Sequence, residues 1–146
     1  MEDLHLEIKA IPAQATWNIR YTVMWPNKSI DYVKLPADEE GLHLGLFVQG
    51  KLTSIVSAFI VDYKAQFRKF ATLEEGQGKG YGSRLLSYLF NELKSKDVTV
   101  IWCNARVDKA TYYEQFGLRR TNQCFARGEI EYVIMEMRLD RASPQS

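Results

Sequence analysis

Gly76, Gly78, Gly80 and Gly82 fall within seven positions and alternate with Gln77, Lys79 and Tyr81. An apolar helical pattern follows at once, with Gly82, Leu85, Leu86, Leu89 and Leu93 at i, i+3, i+4, i+7 and i+11. Glycine inside a helix or strand costs about 0.5–1 kcal/mol relative to alanine. A cluster this dense therefore marks a turn that needs bare backbone. A strand that turns through glycines into a helix presents the helix's first N–H groups ahead of the intrahelical ladder. Those donors and the positive end of the helix dipole attract an anion. Lys79 adds charge at the rim. The same glycines would also suit a flexible turn chosen only for its dihedral angles.

The spacing narrows the choice of anion. A nucleotide P-loop needs two glycines five positions apart, followed by Lys and Ser/Thr. Here Gly78-Lys79 is followed by Gly80, and no hydroxyl stands where magnesium would be held. A dinucleotide fingerprint needs G-x-G-x-x-G, but Tyr81 and Ser83 occupy the positions of its third glycine. The strand after the helix ends at Cys103-Asn104 rather than in the acid that would hold a ribose.

The elements that position this turn follow from periodicity. Residues 4–9 alternate and predict a strand; 13–24 predict a helix that ends before Trp25-Pro26, because the residue before proline leaves the helical region. Residues 27–41 read as a loop. Residues 42–49, with Leu42, Leu44, Leu46 and Val48 on one face, and 52–61 form a hairpin around Gly50-Lys51. A strand over 66–73 places Phe67, Lys69, Ala71 and Leu73 on one side and Arg68, Phe70 and Thr72 on the other. The helix after the glycine turn leads to an apolar strand at 98–103, a helix at 107–116 with Gly117 as its C-cap, and strands near 119–125 and 130–139. The order β-α-β-β-β-α-β-α-β-β predicts an α/β fold with a mixed sheet and helices on both faces. The expected organisation is one domain over 1–139 and a loose tail at 140–146.

The composition sets limits. The chain has 146 residues and a formal charge of +1, which argues against nucleic acid and anionic membranes as partners. No apolar run approaches the roughly 20 residues of a membrane span. "MEDLHLEIKA" lacks a signal core, so a cytoplasmic location is expected. Cys103 and Cys124 are expected as buried free thiols, and His5 and His43 lack partners at ligand spacing, so no metal is expected.

Gln77-Gly78-Lys79-Gly80-Tyr81-Gly82 has the form Q-x-x-G-x-G, which resembles the coenzyme A pyrophosphate loop of the GNAT superfamily of N-acetyltransferases. The predicted element order resembles that fold over nearly the whole chain. "ATYYEQFGL", Ala110 to Leu118, is similar to the helix with Y-E-x-x-G seen after the fifth strand in many members. The set "FRKFATL…QGKGYGSRLL…WCNAR…YYEQFGL" also resembles a bacterial subgroup of small acetyltransferases.

The resemblance implies acetyl-CoA as cofactor and a small-molecule or peptide amine as acceptor. It implies that backbone groups at Phe70, Ala71, Thr72 and Leu73 pair with the pantetheine arm. Gln77, Gly78, Lys79, Gly80, Tyr81, Gly82 and Ser83 would surround the pyrophosphate. Tyr113 would protonate the leaving thiolate. Many members carry a cofactor-contacting Asn three residues before the helix alanine; that position is Val107 here, and Asn104 could act from the strand end. Glu74, Glu75, Asp31 and Glu136 are all open as the base. A non-catalytic acyl-CoA-binding or sensing module is the competing function. Pairing of the apolar C-terminal strands would make a homodimer.

Overall fold

In a computed structural model of the chain, the structure describes residues 5–139. The expected tail at 140–146 and the first residue of the expected opening strand lie outside the described residues. The chain divides into two compact units. The first runs up to Phe59 and adds Arg68–Leu89; the second consists of Ile60–Phe67 and the residues from Phe90 on.

In the first unit, β1 (Leu6–Ala10) pairs antiparallel with β2 (Leu42–Val48), which pairs antiparallel with β3 (Lys51–Val61). β4 (Lys64–Thr72) lies next to β3 in strand order and runs through both units. Gln49 and Gly50, at φ 51° and 81°, make the β2–β3 turn, a geometry matched to the twist of a hairpin. The turn therefore sits one residue earlier than Gly50-Lys51. β2 is buried on both sides at its centre, so His43 and Gly45 are inside along with Leu44 and Leu46.

The helix expected over 13–24 is α1 (Ala13–Ile19) followed by a wider π turn over Arg20–Met24. Trp25 N–H reaches both Arg20 O (3.3 Å) and Tyr21 O (3.1 Å). Ile19 packs with Ile55 of β3 and Ala71 of β4, with Val23, Met24 and Leu73 around them. The segment expected as loop holds two short 3₁₀ turns, Ile30–Val33 and Asp38–Glu40.

β4 departs from strict alternation at Lys69, whose φ of 58° is left-handed. One residue in this conformation shifts the side-chain period, as a bulge does. Phe67 accordingly stacks on Phe90, and Phe70 approaches Gly82, both in α2 (Tyr81–Lys94), while Ala71 faces α1. The expected grouping of Phe67 with Ala71 on one side fails for this reason. Within the first unit, helices thus cover both faces of the sheet.

In the second unit, β4 pairs parallel with β5 (Val100–Arg106) over Lys64↔Val100, Ala65↔Ile101 and Gln66↔Trp102. β5 pairs antiparallel with β7 (Ile130–Arg138), and β7 with β6 (Arg119–Arg127). The strand order is therefore β4-β5-β7-β6 on this side and β1-β2-β3-β4 on the other. The helix expected over 107–116 is shorter: a 3₁₀ turn at Val107–Lys109 and α3 (Ala110–Glu114). Gly117 follows at φ 102° and its N–H closes on Glu114 O. Cys103 is buried, as expected; Cys124 is exposed, because β6 presents no buried residue on either face.

Candidate active site

In the first unit, β4 ends at Thr72, a 3₁₀ turn follows at Glu74–Gly76, and residues 77–80 lead into α2. Gly78 and Gly80 adopt φ 77° and 81°, where a β-carbon is strained. A β-carbon placed on either would project into open space, with no atom within 4 Å. Backbone there is thus bare on the outside. The α2 ladder begins with Arg84 N–H on Gly80 O, so the N–H groups of Tyr81 and Gly82 stand ahead of it. The Tyr81 side chain is buried and anchors the first turn; only its main chain faces outward chemistry. Gln77 braces the turn by donating from Nε2 to Thr72 O at 2.9 Å.

The preceding strand end has a defined bonding state. Leu73 N–H donates to Thr53 O at 2.9 Å, so this donor is already used by β3. Ser54 Oγ lies 2.8 Å from Thr72 Oγ1 and 3.2 Å from Ala71 O. Phe70 is half-buried, its ring 3.0 Å from where a β-carbon on Gly82 would stand. That close approach fixes the start of α2 over the end of β4. Phe70, Ala71, Thr72, Leu73 and residues 77–83, including Lys79 and Ser83, are thus one local constellation.

Behind β3 lies a buried polar network that sequence reasoning missed. Arg20 is fully buried and Asp38 nearly so. Arg20 donates from Nη1 to Asp38 Oδ2 (2.9 Å) and Val33 O (3.0 Å), and from Nη2 to Asp38 Oδ1 (3.0 Å) and Ser57 Oγ (3.0 Å). Asp38 Oδ2 also accepts from Trp17 Nε1 and Leu35 N–H. Burial alone would raise the Asp38 pKa, but the hydrogen bonds from Arg20, Leu35 and Trp17 outweigh it and hold the carboxyl below its usual range. Since Ser57 Oγ accepts from Arg20, its own proton points to His43 Nδ1 (2.7 Å), and His43 Nε2–H donates to Asp38 O (2.7 Å). The available signal was an Arg one helical turn from Thr16, with two serines, Ser54 and Ser57, in a largely apolar strand.

In the second unit, Tyr113 of α3 sits among aromatic rings. Its centroid is 5.7 Å from Phe67 and 5.4 Å from Tyr112. Tyr112 therefore touches Tyr113. Burial, then the nearby Cys103 and Tyr112, push the Tyr113 phenol pKa up. Burial pushes the Cys103 thiol up to about 12. Tyr113 is consequently a neutral O–H donor throughout the neutral range. Asn104 is exposed on β5, opposite Ile134 of β7. A shallow depression of about 330 Å³ is lined by Arg106, Val107, Asp108, Glu129, Ile130 and Glu131, none of them among the cofactor residues expected from sequence.

Three of the four carboxylates left open as the base are in ion pairs. Asp31 pairs with Lys34 at 2.8 Å, Glu75 with Lys51, and Glu136 with Arg138 at 3.4 Å. Hydrogen bonding from Lys34 and Lys51 respectively lowers the pKa of Asp31 and Glu75. Such carboxylates are weak bases at neutral pH.

Comparison with known proteins bears on this arrangement. A family model described as acetyltransferase (GNAT) domain matches residues 27–139. An uncharacterized N-acetyltransferase, YitI of Bacillus subtilis (strain 168), is 33% identical over 129 residues, covering 82% of this chain and 87% of that protein. Among solved structures, the ribosomal-protein-S18-alanine N-acetyltransferase from Escherichia coli superposes with a TM-score of 0.81 at 20% identity, over 97% of this chain and 99% of that one. A GNAT family acetyltransferase from Elizabethkingia anophelis with acetyl-CoA bound superposes with a TM-score of 0.72 at 14% identity, over 92% and 98%. Among the described residues, no helix is long and apolar enough to cross a membrane.

Proposed function

Because the chain belongs to the GNAT acetyltransferase family, we propose that it transfers an acetyl group from acetyl-CoA to a primary amine of a small molecule or peptide, the amine attacking directly while both are bound. The observation that carries this is the glycine turn: left-handed backbone at Gly78 and Gly80, open where side chains would project, at the start of a 14-residue helix. That bare concave backbone suits a diphosphate, so the residues present fit coenzyme A. We also treat the chain up to residue 139 as one acetyltransferase domain.

Acetyl-CoA supplies an acetyl group activated as a thioester. Main-chain N–H groups from Gly78 to Gly82 bind the diphosphate, Lys79 adds charge, and Gln77 holds the turn against Thr72. Main-chain groups at Phe70, Ala71 and Thr72 align the arm, and a donor among them stabilises negative charge on the carbonyl oxygen. Tyr113 Oη offers its proton to the departing sulfur. Its raised pKa keeps that proton in place at neutral pH. The amine's lost proton restores the balance through solvent, so amine and thioester become amide and thiol. Asn104 offers the cofactor a polar group from an exposed position within β5, which continues to Arg106 rather than ending at Asn104. The protein acts in the cytoplasm on this view.

Calorimetric titration with acetyl-CoA tests the proposal. Gly80→Val should weaken binding at least tenfold while circular dichroism stays native. Equal affinity in a folded Gly80→Val variant would remove the glycine turn from the site.

A further inference from the structure

Tyr113 stands on an element too short to aim it. α3 (Ala110–Glu114) has five residues and no side-chain cap, and a helix of that length has little stability of its own. Buried Ala110 and Leu118 pin the chain on either side. Neither fixes the direction of a ring between them. The orientation of the phenol must come from what packs against it.

Five rings of the second unit supply that packing in a closed circuit. Tyr113 meets Phe67 of β4 at 5.7 Å between centroids, tilted by 58°. Phe67 meets Phe90 at 5.6 Å, and Phe90 meets Phe116 at 6.1 Å. Phe116 meets Tyr112 at 5.2 Å, and Tyr112 returns to Tyr113 at 5.4 Å. Every pair is tilted or edge-on, the arrangements that the ring quadrupole favours over a face-to-face sandwich. Phe67 and Phe90 are buried, at 3% and 4% exposure, whereas Tyr113 is half-buried. The circuit therefore combines a fixed inner wall with a phenol that stays accessible in part.

Phe67 ties this circuit to the strand assigned to the arm. β4 carries Phe67 and, three residues on, Phe70. Strict alternation would put those two rings on opposite faces. The left-handed Lys69 between them, at φ 58°, shifts the period, so Phe67 reaches Phe90 and Phe70 reaches Gly82, both in α2. One backbone irregularity thus turns two rings toward a single helix. The first packs against the phenol, and the second opens the segment that aligns the arm. Building on the acetyltransferase reading, we propose that the circuit aims the Tyr113 phenol at the departing sulfur and that Phe67 is its positioning residue.

In the full chain, para-fluorophenylalanine at position 113 puts a fluorine where the hydroxyl stands, and its NMR signal reads the ring's placement without any acceptor. The signal should be single, narrow and displaced from that of the free amino acid. Phe67→Leu and Phe67→Met, the second keeping most of the volume in a flexible chain, should broaden or split it and move it toward the free value. Leu93→Ala, at a buried leucine of α2 outside the circuit, should lower Tm at least as far and leave the signal in place. With the natural tyrosine at 113, thiol release from acetyl-CoA over a pooled primary-amine library completes the test. Phe67→Leu should cut turnover about tenfold, within the loss that a misplacement of about 1 Å produces, and keep KM for acetyl-CoA within about twofold. In a Tyr113→Phe background the same change should cost less than about twofold, because the group it aims is gone. An unmoved signal in both folded Phe67 variants, or an equal loss of turnover in the two backgrounds, overturns the proposal. If Tyr113→Phe is slow and Phe67→Leu is not, only the role of Phe67 fails. If acetyl-CoA does not bind, the acetyltransferase reading fails, and if Tyr113→Phe keeps full turnover, its acid fails; either result takes this inference with it.

Discussion

Removing the Asp38 carboxylate should unfold the segment at 30–40 before anything else. The Asp38 carboxylate accepts four hydrogen bonds, two from Arg20 at 2.9 and 3.0 Å, one from Trp17 at 3.2 Å and one from Leu35 N–H at 2.9 Å. Arg20 has no solvent exposure, so Asp38→Ala strands a guanidinium in the core with only Val33 O and Ser57 Oγ as acceptors. Breaking a buried pair from one side costs about 3–5 kcal/mol, a large share of the roughly 5–15 kcal/mol that holds a domain together. At about 2–4 °C per kcal/mol for a chain of this size, Tm should fall by roughly 6–20 °C. Urea unfolding followed by tryptophan fluorescence would measure it. The double variant Arg20→Met/Asp38→Leu should recover most of the loss, since an apolar pair removes both buried charges. A loss below about 1 kcal/mol in Asp38→Ala, or a double variant no better than the single, would refute the assignment of Arg20 and Asp38 as a buried pair. Because the folded Asp38 pKa is depressed, its contribution is complete above the unfolded value of 3.8 and disappears as pH falls through the lower folded value.

Tyr113→Phe should lower kcat by about 10²-fold or more, the usual range for a lost general acid, with acetyl-CoA affinity retained in calorimetry; full turnover would exclude the phenol as proton donor. Cys103 and Tyr113 both have raised folded pKa values, so they bind protons in the folded state that the unfolded chain gives up above pH 9 and 10 respectively. Stability should therefore be level below pH 9 and fall above it, by up to about 1.4 kcal/mol per pH unit for each group; Cys103→Ala should shallow that slope in alkaline urea titrations. A thiol reagent at neutral pH should modify exposed Cys124 rapidly and buried Cys103 only on unfolding, which mass spectrometry of timed samples would resolve.

The parts of this protein that sequence could reveal are those where chemistry is local. The glycine alternation at 76–82 forces a turn, and the i, i+3, i+4, i+7 leucines force the helix behind it, because both constraints act between residues close in the chain. The order of the elements along the chain followed from the same periodicities. The helix expected over 107–116 is shorter in the structure, Ala110–Glu114, because helical spacing alone does not separate a 3₁₀ turn from an α-helix. Cys124 was expected inside because a thiol says nothing about whether its strand is covered, and β6 is not.

What tertiary structure decided lies where distant segments meet. No local pattern in Arg20, Asp38, His43 and Ser57 foretells that they close one network, since its bonds join α1, a 3₁₀ turn and two strands. The left-handed residue in β4 was equally hidden: alternation predicts which face a side chain takes only while every residue is extended, and Lys69 is not. From sequence alone come the glycine turn and the order of the elements, because backbone geometry and apolar period are written residue by residue. From the fold comes the buried Arg20–Asp38 pair, because the desolvation of a charge depends on everything packed around it.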